Sequence, residues 1–114
     1  MKRDTRVYLD DILESIKQIE KYTKEISKTE FFRSTQIQDA VVRRLEIIGE
    51  AIKHITKNVK EKHTEIKWRE SAGMRDIMIH EYFGVKLDRV WNTVKKDLPK
   101  FKKQIENLLK ESED

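Results

Sequence analysis

Thr35-Gln36-Ile37-Gln38-Asp39-Ala40-Val41-Val42-Arg43-Arg44-Leu45-Glu46-Ile47-Ile48-Gly49-Glu50-Ala51-Ile52-Lys53-His54-Ile55-Thr56-Lys57-Asn58-Val59 is the stretch that decides the fold. Within it Ile37, Val41, Leu45, Ile48, Ile52, Ile55 and Val59 recur at steps of three and four residues, which lines them along one face of an α-helix. Thr35 and Gln38 stand in the Thr-x-x-Gln arrangement of a capping box, so the helix is expected to run from Thr35 to about Val59. Ala40, Ile47 and Ala51 add a second stripe of smaller residues, which predicts cover on two sides. Gly49 falls in mid-helix, where it costs about 1 kcal/mol relative to Ala. Close approach of another backbone would offset that cost.

The neighbouring segments carry the same period. From Thr5 to about Ser27, the positions Leu9, Ile12, Leu13, Ile16, Ile19, Thr23 and Ile26 form an amphipathic stripe, and Asp4 or Thr5 can cap its start. Lys28 to Ser34 interrupts the pattern, with Phe31 and Phe32 expected to fold back onto the core. Lys60 to Lys67 is polar and reads as a loop. A further helix should begin near Trp68 with Met74, Ile77 and Met78 as its core stripe. Ile79, Tyr82 and Phe83 lie on its other faces, so it lacks a clean solvent side, and either the bundle or a second subunit must cover it. Phe83-Gly84-Val85 is the expected turn, and Asp88 can cap a last helix with Val90 or Trp91, Val94, Leu98, Phe101, Ile105 and Leu108 inward. Pro99 cannot donate to the preceding turn, so it must kink or restart that helix. The fold class expected is all-α: one domain over residues 1–114, a four- to five-helix up-down bundle, as a twofold dimer.

Composition narrows the function classes. Of the 114 residues 40% are charged, with three Gly and one Pro, as long helices with solvated faces require. The chain has no Cys, hence neither a disulfide framework nor a thiolate site. No apolar run approaches the roughly 18 residues of a membrane span, and Lys2-Arg3-Asp4 leads into no signal region, so a cytoplasmic protein is expected. The formal net charge of +4 is compatible with a nucleic-acid partner and equally with solubility.

Chemistry concentrates in Gly73-Met74-Arg75-Asp76-Ile77-Met78-Ile79-His80-Glu81-Tyr82-Phe83. Arg75 offers a planar fork of donors that matches phosphate oxygens two at a time. His80 can take or give a proton near neutral pH. Asp76, one helical turn before His80, is close enough to hydrogen-bond the imidazole and fix its tautomer. Tyr82 carries a hydroxyl open to modification. At about 100° per residue, Arg75 and His80 lie about 140° apart around a helix, so one chain does not present both on one face. A loosened turn, a long reach by Arg75, or a twofold dimer that pools both copies in one cleft would bring them together. Metal chemistry has little support. His80-Glu81 begins a His-Glu-x-x-His pattern whose second His is Gly84, His54 and His63 have no partner at ligand spacing and are expected to be exposed, and the Glu46/Glu50 pair is commonplace.

The order Trp68, Gly73-Met74-Arg75-Asp76, His80-x-Tyr82, Trp91 and Leu98-Pro99, with Gly49-Glu50-Ala51 before it, resembles the signature of the HEPN superfamily and, within it, the HepT-like ribonuclease toxins. The resemblance implies a helical, dimeric, metal-independent RNase without a cofactor, acting on RNA and tRNA in particular. It implies that Arg75 and His80 are catalytic, with Asp76 in support. The attacking group would be the substrate's own 2′-hydroxyl, leaving a 2′,3′-cyclic phosphate. It further implies that Tyr82 accepts AMP from an MntA-like nucleotidyltransferase antitoxin, which neutralises the toxin. A nucleotide- or RNA-binding module without activity, and a structural dimer that scaffolds a nucleotidyltransferase, are the alternatives. Lys95, Lys96, Lys100, Lys102 and Lys103 are candidate phosphate contacts beyond Arg75, or a solvated lysine face.

Overall fold

A computed structural model describes residues 3–68, 70 and 87–111. Among the described residues every regular element is helical, which makes the fold all-α. Helix α1 spans Arg3–Thr23, α2 Lys28–Arg33, α3 Thr35–Lys53 and α4 Lys57–Lys62. Helix α5, Leu87–Asn92, passes through a wide π turn, Thr93–Asp97, into α6, Leu98–Glu111. None of these helices is long and apolar enough to cross a membrane.

The core is a single cluster built from the stripes of α1, α3 and α6. Leu9, Ile12, Ile16 and Ile19 of α1 are completely buried, as are Val41 and Ile52 of α3 and Ile105 of α6. Each fully buried aliphatic side chain contributes roughly 1.5–3 kcal/mol. Helix α1 lies antiparallel to α3, with the Tyr8 ring stacked 4.9 Å from His54. It also lies antiparallel to α6: Arg6 Nη1 donates to the Leu109 carbonyl at 3.4 Å, and Lys95 Nζ just before α6 donates to the Thr23 carbonyl at 3.1 Å. The latter contact puts a cation on the negative end of the α1 dipole, where it is favourable.

Several boundaries differ from the expected ones, each for a local reason. Asp4 and Thr5 lie inside α1 rather than capping it. The helix stops at Thr23, whose hydroxyl donates to the Ile19 carbonyl. Ser27 then opens α2 with a full capping box: its hydroxyl accepts from the Glu30 N–H, and the Glu30 carboxylate accepts from the Ser27 N–H. The Ser27-x-x-Glu30 spacing was the sequence signal for this helix. Phe31 folds back onto the core, whereas Phe32 stays 39% exposed. The cap of α3 is Ser34, whose hydroxyl accepts from Ile37 N–H; Gln38 instead donates to the carbonyls of Phe31 and Phe32, stitching α2 to α3.

Helix α3 ends at Lys53 rather than near Val59. The His54 N–H turns back to the Ala51 and Ile52 carbonyls, and the Thr56 hydroxyl accepts from Val59 N–H to start α4. Ile55 remains buried across this break, so the apolar period continues where the backbone helix does not. The expected loop from Lys60 accordingly begins inside α4. Asp88 stands in the first turn of α5, where its carboxylate meets Lys28 Nζ at 2.8 Å.

The α-helix restarts at Leu98, one residue before Pro99, which is one of the two outcomes expected of that proline. A proline at this place cannot donate to the carbonyl four residues back and its ring collides with it. The π turn opens the backbone ahead of it, with the Leu98 N–H bonded to the Thr93 carbonyl five residues earlier. Val90, Val94 and Leu98 are spaced 4,4, which drifts by about 40° per step on a regular helix. The wider turn offsets part of that drift, and all three side chains stay buried.

Lys102 of α6 donates to Glu20 of α1 at 2.9 Å, and this hydrogen bond holds the ammonium pKa above its ordinary 10.5, with burial opposing it. A pKa raised on folding adds stability that is complete below the unfolded value and lost as pH rises through the folded one. Lys102→Met is therefore expected to lower the urea midpoint at pH about 8. The gap to the unsubstituted chain should narrow when the same titration is run above pH about 10.5.

Candidate functional site

Arg75, Asp76, His80 and Tyr82, together with Met74, Ile77, Met78, Ile79 and the Phe83-Gly84-Val85 turn, lie outside the described residues. The structure does position the frame on either side of them. On the leading side Ile66 and Trp68 are buried. The Trp68 indole N–H donates to the His63 carbonyl at 3.1 Å, and its ring meets Phe101 of α6 edge-on at 6.2 Å. Gln104 of α6 donates to the Glu65 carbonyl at 3.3 Å. The His63 ring, far from exposed, lies half-buried between Glu65 at 3.3 Å and Glu111 at 3.5 Å. Three side chains of α6 thus hold the segment that runs into the motif.

On the trailing side the chain returns at α5. Val90 is buried, and the Trp91 ring lies 5.2 Å from Phe31 of α2. The Lys28–Asp88 pair ties the start of α5 to α2. Trp68 and Trp91, which bracket the motif in the sequence, are therefore the side chains that fasten both of its flanks to the core.

Next to the leading flank is a groove of about 220 Å³. Leu45 and Ile48 of α3 with Leu98 and Phe101 form its apolar floor; Glu65, Lys67 and Glu70 on one side and Lys96, Asp97 and Lys100 on the other form a rim of mixed charge. The buried Thr93 of the π turn also faces it. A second hollow between α1 and α3 is lined by Tyr8, Asp11, Arg43, Glu46, Glu50 and His54. Arg43 Nη1 approaches Glu46 to 3.7 Å there, so a cation already faces the carboxylate pair considered from the sequence. Among the described residues no group of three His, Cys, Asp or Glu side chains is placed to hold a metal ion.

The five lysines considered as phosphate contacts divide into two groups. Lys102 is committed to Glu20, and Lys95 to the end of α1 while it also sits 4.8 Å over the Trp91 ring. Lys96, Lys100 and Lys103 are exposed, the first two on the groove rim. Sequence spacing could not separate Lys102 from Lys103, because the partner that distinguishes them is 82 positions away.

Residues 12–108 match the model of the family described as ribonuclease HepT-like, a span that includes the whole motif. A probable ribonuclease HepT of Thermococcus cleftensis is 50% identical over 110 residues, covering 96% of this chain and all of that protein. A Methanocaldococcus jannaschii protein named for gamma-glutamylcyclotransferase and a presumed RNase is 51% identical over 111 residues; this chain spans 50% of its length. A presumed RNase of Caldanaerobacter subterraneus subsp. tengcongensis is 43% identical over 104 residues, covering 91% of this chain and 93% of that protein. No solved structure matches.

Proposed function

Because this chain belongs to the HepT-like ribonuclease family, we propose that it is a metal-independent endoribonuclease, the toxin of a toxin–antitoxin pair, acting as one helical domain on RNA and on tRNA in particular. The observation that carries this reading is the motif Arg75-x4-His80-x-Tyr82 inside the matched span, its two flanks fastened to the core by Trp68 and Trp91. A motif fastened at both ends suits a site whose groups must be held in place before substrate arrives.

The chemistry needs no protein nucleophile. A base takes the proton of the RNA 2′-hydroxyl, and that oxygen attacks the adjacent phosphorus. The P–O5′ bond breaks, and an acid returns a proton to the leaving oxygen, giving a 2′,3′-cyclic phosphate and a 5′-hydroxyl. His80 is suited to either proton transfer. Arg75 stabilises the charge that accumulates on the phosphoryl oxygens. Asp76 orients the imidazole and favours its charged form. In a twofold dimer one cleft would hold two Arg75 and two His80, so that one imidazole can act as base while the other acts as acid.

A composite cleft gives a sharp outcome. His80→Ala and Arg75→Ala should each reduce RNA cleavage to background with melting little changed, since neither belongs to a core stripe. Mixing the two inactive proteins under conditions that exchange subunits should restore part of the activity, because the mixed dimer regains one of each side chain. Cleavage by His80→Ala alone would exclude the mechanism, and no recovery on mixing would exclude the shared cleft.

Tyr82 is the proposed point of control. An AMP joined to its hydroxyl by a phosphodiester would bring negative charge and bulk two residues from His80, where it competes for the phosphate subsite of Arg75. The proposed donor partner is a nucleotidyltransferase antitoxin. Co-expression with that partner should add whole AMP units to the peptide containing Tyr82 and not to those containing Tyr8 or Tyr22, as read by intact and peptide mass. Tyr82→Phe should remove the added mass and leave the toxin harmful beside its antitoxin. Modification at another tyrosine, with Tyr82→Phe still neutralised, would contradict this control.

A further inference from the structure

We propose that Phe32 and Trp91, with the cations beside them, form a stacking platform for bases of a single-stranded RNA, distinct from the catalytic groups proposed for the motif. The proposal rests on the ribonuclease reading only for the identity of the strand; the platform itself comes from the geometry of α2 and α5.

Adjacent residues on a helix point about 100° apart, so the pair Phe31-Phe32 cannot be buried together by one neighbour. Phe31 takes the core position and Phe32 is left 39% exposed. The rings are nonetheless continuous: Phe32 to Phe31 is 6.2 Å between centroids, and Phe31 to the half-buried Trp91 is 5.2 Å. Cations stand against both ends of this run, with Lys28 Nζ 5.7 Å from the Phe32 centroid and Lys95 Nζ 4.8 Å from that of Trp91.

Two of the acids on α2 and α5 are already engaged. The carboxylate of Glu30 is turned to the Ser27 backbone, and that of Asp88 is paired with Lys28. Arg33 and Arg89 are exposed and have no ion-pair partner among the described residues. A protein-docking patch is depleted of charge at its centre. Aromatic faces interleaved with cations suit a single nucleic-acid strand, whose bases stack on rings while arginines meet the phosphates. The location fits a substrate strand as well. Leu87 opens α5 seven residues after His80, so at most about 25 Å of chain separates them, within reach of a strand leaving the cut after a few nucleotides.

The test measures binding of a short, unstructured, fluorescently labelled RNA by anisotropy. It uses the full chain carrying His80→Ala so that the probe is not cut. Phe32→Leu keeps apolar bulk but removes the π face, and it should weaken binding by about fivefold or more, whereas Phe32→Tyr should stay within about twofold. Arg33→Gln and Arg89→Gln should each lower the salt dependence of log K by about 0.7, the share of one phosphate contact on a single strand. Helicity of each variant is checked in parallel, and the arginine variants, changed at exposed positions, keep the test open if Phe32→Leu folds poorly. Unaltered affinity in Phe32→Leu, no binding of the probe at all, or loss of a protein complex with RNA affinity intact would each overturn the platform. Failure of the ribonuclease reading has a different signature: the wild-type chain cuts no RNA, yet Phe32→Leu still weakens probe binding.

Discussion

The seating of α6 is the constraint on which the rest of the structure depends. Its buried face completes the core, while Phe101 receives Trp68, Lys102 pairs with Glu20 and Gln104 holds the Glu65 carbonyl. These contacts fix one helix to α1 and to the segment that leads into the motif. The π turn before Pro99 sets the rotation at which α6 presents them. A regular helix through that region would collide with the proline ring or turn Val94 or Leu98 away from the core. An unusual backbone turn thus serves the position of ordinary side chains.

Function is built from that frame outward. In the proposed mechanism the motif would supply a phosphate-matching guanidinium and a proton-transferring imidazole, while the described scaffold supplies two fastened flanks. Basic residues serve several tasks. Lys95 and Lys102 are used inside the fold, Lys96 and Lys100 edge a groove beside the leading flank, and Arg33 and Arg89 are exposed on α2 and α5. A modest net charge of +4 is compatible with local surfaces that favour a polyanion, because net charge does not fix how the charges are distributed.

Much of this was legible in the sequence. The stripe Leu9, Ile12, Ile16 and Ile19 is buried as its spacing predicts, and so are Val41, Leu45, Ile48 and Ile52. Periodicity reads burial, however, and not continuity of the backbone. Ile55 keeps its core position across the break at Thr56, which is why α3 was expected to run too far. The π turn was hidden because single-residue rules for proline offer a kink or a restart and say nothing of the backbone turn ahead of it. The Lys102–Glu20 and His63–Glu111 pairs join residues far apart in the chain, and no local pattern reports them. For the site, residue chemistry and resemblance gave the family, which the match over residues 12–108 shows; the placement of Arg75, His80 and Tyr82 lies outside the described residues.

In the proposed mechanism RNA would be cut by its own 2′-hydroxyl, with His80 moving the proton, Arg75 holding the phosphoryl charge and no metal taking part. End-group analysis of RNA cleaved by the purified protein in excess EDTA tests this most directly. Undiminished cleavage is expected, with a 2′,3′-cyclic phosphate on one fragment and a 5′-hydroxyl on the other. Cleavage abolished by the chelator, or fragments ending in a 3′-hydroxyl and a 5′-phosphate, would contradict it.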